Sequence, residues 1–284
     1  MKRTLPLKRT RAFIAMAGGI VYKQVPDWYG SDSRTLSLNL IRLMDGKAHP
    51  TVVWLTGGAW QKVSRNAHVP EMVYLAEAGY TVATVEYRSS EDDVFPAQIE
   101  DVKAAIRFLR KNAALYQVDP EHIAVMGESA GGHLAALAGT TSGLGGMFDV
   151  GDDLDYSSDV QCAVDWYGPA DFLDFRSDSI PGFFPFSPET LLIGGPAEKN
   201  PEKAKAASPV TYAGSRTPPF LILHGTEDQL VPFAQSEKLY RKLTEAGAEA
   251  ELVALEGANH GDPMFVTEEV RAVILDFLDR HMKK

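Results

Sequence analysis

Hydrophobic residues occur in two kinds of pattern along the chain. Short apolar runs that end at a turn residue predict strands at 35–43, 51–56, 80–87, 122–127, 160–168, 220–225 and 250–257. Apolar residues at helical spacing predict helices at 69–79, 97–114, 130–139, 233–246 and 264–281. Because strands and helices alternate, the pattern predicts an α/β fold with a mostly parallel central sheet flanked by helices.

Residues 169–219 interrupt this alternation. The segment is rich in proline and glycine, and it contains Phe172, Phe175 and the run "FFPF" at 183–186. A long insertion in a compact fold is usually a lid or a binding loop. We therefore predict an aromatic-rich lid here, with a packed surface excursion as the alternative. No linker divides the chain, so the sequence favours one domain over residues 1–284.

Composition disfavours several classes of partner. The formal net charge of −10 argues against binding to nucleic acid or to an anionic membrane surface. No stretch approaches the ~18 apolar residues of a membrane span. The apolar run "AFIAMA" at 12–17 is shorter than the core of an export signal, which is about 7–15 residues long. We therefore expect a cytoplasmic protein, with a weak export signal as the alternative.

Cysteine and histidine usage gives no sign of a metal centre. The single cysteine, Cys162, lies in an apolar run, and we predict that it is a buried strand residue. No Cys/His spacing typical of a metal site occurs in the chain. We expect no metal and no cofactor.

The stretch "IAVMGESAGGHLAAL" at 123–137 carries the main candidate for chemistry. Gly-x-Ser-x-Gly between a strand and a helix is typical of a nucleophile elbow, a turn so tight that larger side chains would clash at Gly127 and Gly131. The turn exposes the Ser129 hydroxyl and directs the first N–H groups of the helix to the same place. The alternative is that Ser129 only caps the helix.

A serine nucleophile needs a base, and the order along the chain in folds with this elbow is serine, acid, histidine. His260, in "EGANHG" directly after the strand at 250–257, fits that order. We interpret His281, in the basic tail, as a solvated chain end. His133 lies one helical turn beyond Ser129 and is predicted to point away from it. His224 ends a strand and is predicted to have a structural role near the site.

The acid is expected in the loop "HGTEDQLVP", which offers Glu227 and Asp228. A carboxylate there would hold the imidazole in one tautomer and stabilise its protonated form. From the residues alone the choice between these two stays open. A helix N-terminal charge is the alternative role for Asp228.

An oxyanion hole is predicted from "WLTGGAW" at 54–60, which ends a strand with two glycines. The backbone N–H groups of Gly58 and Ala59 could bind the tetrahedral oxygen, together with the N–H of Ala130 beside the nucleophile. A plain turn at the end of the strand is the alternative.

With these motifs in order, the sequence resembles the α/β-hydrolase superfamily. More closely, it is similar to the bacterial acetyl-esterase and feruloyl-esterase-like branch, near the hormone-sensitive-lipase type. The similarity covers nearly the whole chain, through "WLTGGAW", "VEYRSSEDDVFPAQIEDVKAAIRFLRKNAALYQVDPEHIAVMGESAGGHLAAL", "VDWYGPADF", "ASPVTY", "PPFLILHGTEDQLVP" and "EGANHG". The resemblance implies that Ser129, Asp228 and His260 are catalytic, and it selects Asp228 as the acid. The chain departs from the family at Thr56, where His-Gly-Gly is usual, although the backbone donors of the oxyanion loop remain.

The predicted function is hydrolysis of carboxylic esters through an acyl-enzyme. The resemblance implies small acyl esters, such as acetyl or feruloyl groups on fragments of plant polysaccharide. The predicted partner is a small-molecule ester, and a homo-oligomer is compatible with the sequence. The predicted pocket residues are Trp60, Glu128, Trp166, Phe183 and Phe184.

Two other functions stay open at this point. An amide hydrolase of the arylformamidase or small serine-peptidase type would use the same three catalytic residues. A hydrolase fold that only binds a ligand is disfavoured, because that class tends to lose the histidine and His260 is present.

Overall fold

A computed structural model of the chain describes residues 1–7, 12–26, 30–175 and 187–283. In this part of the chain eight strands form one sheet. They are β1 (Ile14–Pro26), β2 (Ser33–Leu43), β3 (His49–Leu55), β4 (Thr81–Val85), β5 (Val118–Glu128), β6 (Ala163–Trp166), β7 (Phe220–Gly225) and β8 (Ala250–Leu255). Their order across the sheet is β1-β2-β4-β3-β5-β6-β7-β8.

The sheet is mostly parallel, which confirms the predicted fold class. β1 and β2 pair antiparallel, and so do β2 and β4, whereas every later neighbour pair is parallel. Parallel strands bring their carboxyl ends to one edge of the sheet. The loops after β3, β5, β6, β7 and β8 therefore meet at that edge, where ligands of open α/β sheets usually bind.

The helices cover both faces of the sheet. They are α1 (Val69–Glu77), α2 (Ala97–Lys111), α3 (Ala113–Tyr116), α4 (Ala130–Thr140), α5 (Pro188–Ile193), α6 (Pro201–Ala207), α7 (Ala234–Glu245) and α8 (Glu268–Met282). The helix predicted at 97–114 is divided at Asn112 into α2 and α3. None of the described helices is long and apolar enough to cross a membrane.

Alternating side chains of each strand feed two hydrophobic cores. In β3, Val53 and Leu55 contribute to the core under α2 and α4, while Val52 and Trp54 contribute to the core under α1 and α8. α4 lies close to the sheet because its glycines leave room. A Cβ on Gly139 would lie only 2.6 Å from Phe220 Cζ. This close packing fixes the helix that follows the predicted nucleophile.

β1 and β6 differ from the sequence prediction. β1 was not predicted, and the apolar run at 12–17 in which it begins was weighed only for an export signal, which was the less favoured alternative. Because β1 is an edge strand with exposed residues such as Met16 and Val21, its alternation of apolar and polar residues is weak. β6 is shorter than the predicted strand at 160–168, although Cys162 just before it is fully buried, as predicted.

The insertion at 169–219 contains secondary structure that its sequence did not predict. α5 and α6 lie within it, joined and followed by single 3₁₀ turns. The start of α5 is capped by Ser187, whose hydroxyl accepts a hydrogen bond from the Thr190 N–H at 3.3 Å. The run at 183–186, with Phe183 and Phe184, lies outside the described residues.

Candidate active site

Ser129 lies between β5 and α4 in a strained backbone conformation, with φ 53° and ψ −118°. A side chain on Gly127 would overlap the Gly131 carbonyl oxygen, and one on Gly131 would overlap the Leu55 carbonyl oxygen. The Ser129 N–H donates to Trp166 O at 2.8 Å, and its side chain makes no capping hydrogen bond to the helix. Strain of this kind persists only where the surroundings enforce it, and it is common at functional sites.

His260 lies within hydrogen-bond distance of two other predicted catalytic residues. Its Nε2 is 2.8 Å from Ser129 Oγ, and its Nδ1 is 2.7 Å from Asp228 Oδ2. Because Asp228 accepts at Nδ1, the ring carries its proton there and leaves Nε2 free to accept from the serine hydroxyl. The Tyr167 ring packs edge-on against the imidazole, with centroids 4.6 Å apart.

The Asp228 carboxylate is held by backbone and side-chain donors. Its Oδ1 accepts the N–H groups of Leu230 and Val231, each at 2.8 Å. Burial acts to raise the pKa of Asp228, but hydrogen bonds from His224 and His260 outweigh it and hold the pKa well below its ordinary value. The group is therefore an anion at neutral pH.

His224 contacts this carboxylate from inside the protein. Its Nε2 lies 3.2 Å from Asp228 Oδ2 and 2.9 Å from Val231 O, so this nitrogen carries the proton. Its Nδ1 then accepts from the Ser236 hydroxyl at 2.6 Å. A structural role near the site was the sequence prediction for His224, and its contacts fit that role.

Asn259 ties the two loops together, and sequence reasoning did not identify it. Its Oδ1 accepts the N–H groups of Gln229 at 3.1 Å and His260 at 2.7 Å. The loops also approach at Gly225, where a Cβ would overlap Ala258 O. The position of the asparagine directly before the histidine was the only sequence signal for this role.

The predicted oxyanion loop, residues 56–60, has an unusual backbone. Gly58 has φ 106°, and a Cβ there would overlap Lys62 O. Ala59 and Trp60 follow at φ 55° and 57°, which is rare for two successive non-glycine residues. Among the described residues, the N–H groups of Gly58, Ala59 and Ala130 have no hydrogen-bond acceptor.

Thr56, at the position where the family usually has histidine, bonds locally. Its hydroxyl donates to Ser64 O at 3.2 Å, and its own carbonyl oxygen accepts the Tyr87 hydroxyl at 2.7 Å. Glu128, beside the nucleophile, also contacts the loop, and its Oε1 accepts the Gly57 N–H at 2.7 Å.

The predicted pocket residues Trp60 and Trp166 are almost fully buried. Trp60 is 3% exposed, and its Nε1–H donates to His133 Nδ1 at 3.2 Å. Trp166 is 4% exposed and packs against Trp54 and Phe265, with ring centroids 5.4 and 5.6 Å away. Both rings therefore offer little surface to a ligand in this conformation.

His133 links the oxyanion loop to the insertion. Its Nε2–H donates to Ala207 O at 2.7 Å, while its ring packs on Phe172 at 4.9 Å between centroids. Burial lowers the pKa of His133 to about 4, although the bond to Ala207 acts to raise it, so the ring is neutral at pH 7.

His281 lies far from these groups in the chain's last helix, but it is not a solvated end. Its side chain is 15% exposed, its ring packs on Phe277 at 4.7 Å, and its Nε2 is 3.4 Å from Glu249. Amphipathic α8 turns this face toward the sheet, which the basic tail of the sequence did not indicate. Within the described ranges, no three His, Cys, Asp or Glu side chains come together to hold a metal ion.

Comparisons with known proteins agree with the fold and the motifs. The chain matches the BD-FAE family model, that of bifunctional acetyl/feruloyl esterases, over residues 41–243. It is 34% identical over 258 residues to the esterase LipQ of Mycobacterium tuberculosis, which covers 88% of this chain and 60% of LipQ. The chain spans about half to three fifths of the length of the curated relatives it matches.

Solved structures of esterases superpose on nearly the whole chain. A truncated carbohydrate esterase from gut microbiota has a TM-score of 0.83 at 31% identity, covering 98% of this chain and 99% of that one. Esterase 2 of Thermogutta terrifontis with butyrate bound has a TM-score of 0.72 at 27% identity, covering 95% and 93%. The predicted α/β-hydrolase fold and the resemblance to acetyl and feruloyl esterases are thereby confirmed. The chain belongs to the BD-FAE family of α/β-hydrolase esterases.

Proposed function

We propose that this chain is a serine esterase, a carboxylic ester hydrolase that acts through an acyl-enzyme. The observation that carries the proposal is the line of hydrogen bonds from Ser129 Oγ to His260 Nε2, at 2.8 Å, and from His260 Nδ1 to Asp228 Oδ2, at 2.7 Å. A serine hydroxyl is a weak nucleophile until a base within hydrogen-bond distance removes its proton.

In the first half-reaction Ser129 Oγ bonds to the ester carbonyl carbon while His260 Nε2 takes the hydroxyl proton. The carbonyl oxygen becomes an oxyanion, and the N–H groups of Gly58, Ala59 and Ala130 are its donors. When the tetrahedral intermediate collapses, the bond to the alcohol breaks and His260 gives its proton to the leaving oxygen.

In the second half-reaction water takes the place of the serine hydroxyl. His260 removes a proton from water, the resulting oxygen bonds to the acyl carbon, and Ser129 leaves with the proton returned by His260. Asp228 stabilises the protonated imidazole in both halves, because its lowered pKa keeps it negatively charged.

We propose small acyl esters as the substrates, such as acetyl or feruloyl groups on oligosaccharides derived from plant polysaccharides. The support is the BD-FAE match, the carbohydrate esterase among the superposed structures and the butyrate bound to Thermogutta terrifontis esterase 2. An amide hydrolase would use the same residues, so the substrate panel must contain both acetyl and feruloyl esters and an N-formyl aryl amide.

The test compares the chain with Ser129→Ala and His260→Ala. Each substitution should lower turnover of p-nitrophenyl acetate by about 10⁴-fold, and the double variant should lose no more, because the residues act as one unit. A fluorophosphonate probe should label the unsubstituted chain once and Ser129→Ala not at all. Labelling of another serine, or full activity in His260→Ala, would reject the assignment.

A further inference from the structure

Glu128, the residue before the predicted nucleophile, makes contacts that ester hydrolysis as described above does not use. It ends β5, and its side chain is 14% exposed. Its Oε1 accepts the Gly57 N–H at 2.7 Å, and its Oε2 accepts the Tyr167 hydroxyl at 3.1 Å. His68 Nε2 lies 3.6 Å from the same Oε1. One carboxylate thus joins the ends of β3, β5 and β6.

The contact with Gly57 depends on the missing side chain there. A Cβ on Gly57 would lie 2.7 Å from Glu128 Oε1 and 2.9 Å from its Cδ. Gly57 does not have a positive φ, so its backbone conformation is open to any residue. The approach of the carboxylate is therefore what requires glycine at this position.

Tyr167 is held in place at a cost in backbone energy. Its φ is 44°, in the left-handed region that a bulky residue rarely adopts. Its N–H donates to Leu223 O at 2.9 Å, and its ring packs on Phe265 at 4.5 Å between centroids. Burial raises the pKa of Tyr167 well above its ordinary value, and Glu128 raises it further, so the hydroxyl keeps its proton and donates.

We propose that Glu128 is a positioning residue that holds the oxyanion loop against the nucleophile elbow, and that Tyr167 fixes the carboxylate. Glu128 binds the Gly57 N–H and so sets the orientation of the next two peptide groups, whose N–H donors at Gly58 and Ala59 stay free. The inference rests on the proposed function, because it assumes that these donors bind the oxyanion.

Tyr167 also connects Glu128 to the proposed base, His260. Tyr167, whose hydroxyl donates to Glu128, also packs its ring against His260. A shift of the carboxylate would move the loop donors relative to the nucleophile, and losing one well-aligned donor costs roughly 10²–10³-fold in turnover. A partial shift should cost less than that.

The main test compares Glu128→Ala with Glu128→Gln. Glu128→Ala removes the acceptor of the Gly57 N–H, so kcat for p-nitrophenyl acetate should fall about 10–10²-fold while KM changes by less than about threefold. Glu128→Gln keeps a carbonyl oxygen for that N–H and should recover kcat to within about fivefold. The affinity for a trifluoromethyl ketone, whose adduct with Ser129 carries an oxyanion, should fall in parallel with kcat/KM.

Tyr167→Phe keeps the ring and removes only the hydroxyl, so kcat should fall a few-fold. Combined with Glu128→Ala it should add nothing further, because both act through one carboxylate. The matched control is Tyr80→Phe, which removes the same kind of bond, from Tyr80 to Asp279 Oδ1 at 2.6 Å, at the opposite edge of the sheet. It should leave kcat unchanged.

Three outcomes would overturn the inference. The first is an unchanged kcat in Glu128→Ala, and the second is a loss in that variant confined to KM or to the melting temperature. The third is a Glu128→Gln variant as slow as Glu128→Ala, because that result would assign the effect to the charge of Glu128. If the unsubstituted chain neither cleaves the ester nor takes the fluorophosphonate label at Ser129, the proposed function fails instead. Labelling and turnover in that chain separate the two failures.

Discussion

On one side of Ser129, several hydrogen bonds join the loops of Asp228 and His260 to each other, whereas on the other side one described hydrogen bond joins the oxyanion loop at 56–60 to the nucleophile elbow. Asp228 accepts from two N–H groups and two histidines, and Asn259 joins its loop to that of His260. The hydrogen bond between the oxyanion loop and the elbow is accepted by one carboxylate, Glu128.

The two sides of the site should therefore respond differently to the loss of one hydrogen bond. A network of several bonds can lose one member and keep its geometry, because the others still fix the loop. The oxyanion loop is bonded elsewhere too, but its described hydrogen bond to the elbow runs through the Glu128 carboxylate, so its position relative to Ser129 should respond to any change that displaces that group. The acid–base side should therefore be sensitive at the reacting groups themselves, and the oxyanion side also at a glycine that touches no substrate.

The largest effect in this comparison is expected for Asp228→Asn. An amide at this position can donate to His260 Nδ1 and so select the wrong tautomer, and kcat should fall by about 10³–10⁴-fold with the fold kept. Turnover of p-nitrophenyl acetate and a melting curve measure the two quantities. The matched control is Glu227→Gln, the exposed neighbour that the sequence left open as the acid. An equal loss in that control would show that the acid is assigned to the wrong residue.

A smaller but selective effect is expected for Gly57→Ala. Its methyl group would lie 2.7 Å from Glu128 Oε1 and should displace the carboxylate, lowering kcat about 10–10²-fold with little change in KM. Gly214→Ala is the matched control, because the nearest atom to its methyl group is Tyr212 O at 3.7 Å. Steady-state kinetics of both variants check this. Equal activity in the two variants would contradict the single-carboxylate view.

The smallest effect on turnover is expected for Asp165→Asn, a substitution beneath the nucleophile elbow. Its Oδ1 accepts the Gly168 N–H at 2.9 Å, and within the described chain its Oδ2 has no hydrogen-bond partner. Burial raises the pKa of Asp165 from 3.8 to about 7, while the bond from Gly168 and the electrostatic influence of His224 act to lower it. Between about pH 4 and pH 7 the folded chain therefore holds a proton at Asp165 that the unfolded chain has released.

The raised pKa of Asp165 makes the free energy of unfolding depend on pH. The protonated Asp165 adds up to about 4 kcal/mol to the free energy of unfolding. This contribution is complete below about pH 4 and is lost as the pH rises through about 7. Asp165→Asn does not titrate, so its melting temperature relative to the unsubstituted chain should rise between pH 5 and pH 8. Melting curves across that range measure it, and a difference that stays constant with pH would contradict the raised pKa.

Much of the fold was predictable, because buried parallel strands leave continuous apolar runs and glycine marks their ends. The elbow was readable because its serine and both glycines lie within five residues, although the atom that excludes a side chain at Gly131 is Leu55 O, on β3. β1 was not, because an exposed edge strand need not alternate.

The contacts of Glu128 were beyond sequence reasoning for a different reason. Residues 57 and 128 are 71 positions apart, and only the parallel register of β3 against β5, with Leu55 opposite Gly127, brings them together. The sequence therefore predicted Glu128 as a pocket residue and left its partners unknown. The choice between Glu227 and Asp228 likewise depended on the turn geometry after β7, and only the family resemblance selected one.

Because the reacting groups lie far apart along the chain, catalytic activity can be used to follow folding. Ser129 and His260 lie 131 residues apart, and their side chains meet only when β5 through β8 have paired. Closing such a long loop costs chain entropy before any contact compensates for it, so this part of the native structure should assemble slowly. The recovery of turnover during refolding should therefore show when the sheet is complete, whereas circular dichroism should follow the helices, which form earlier.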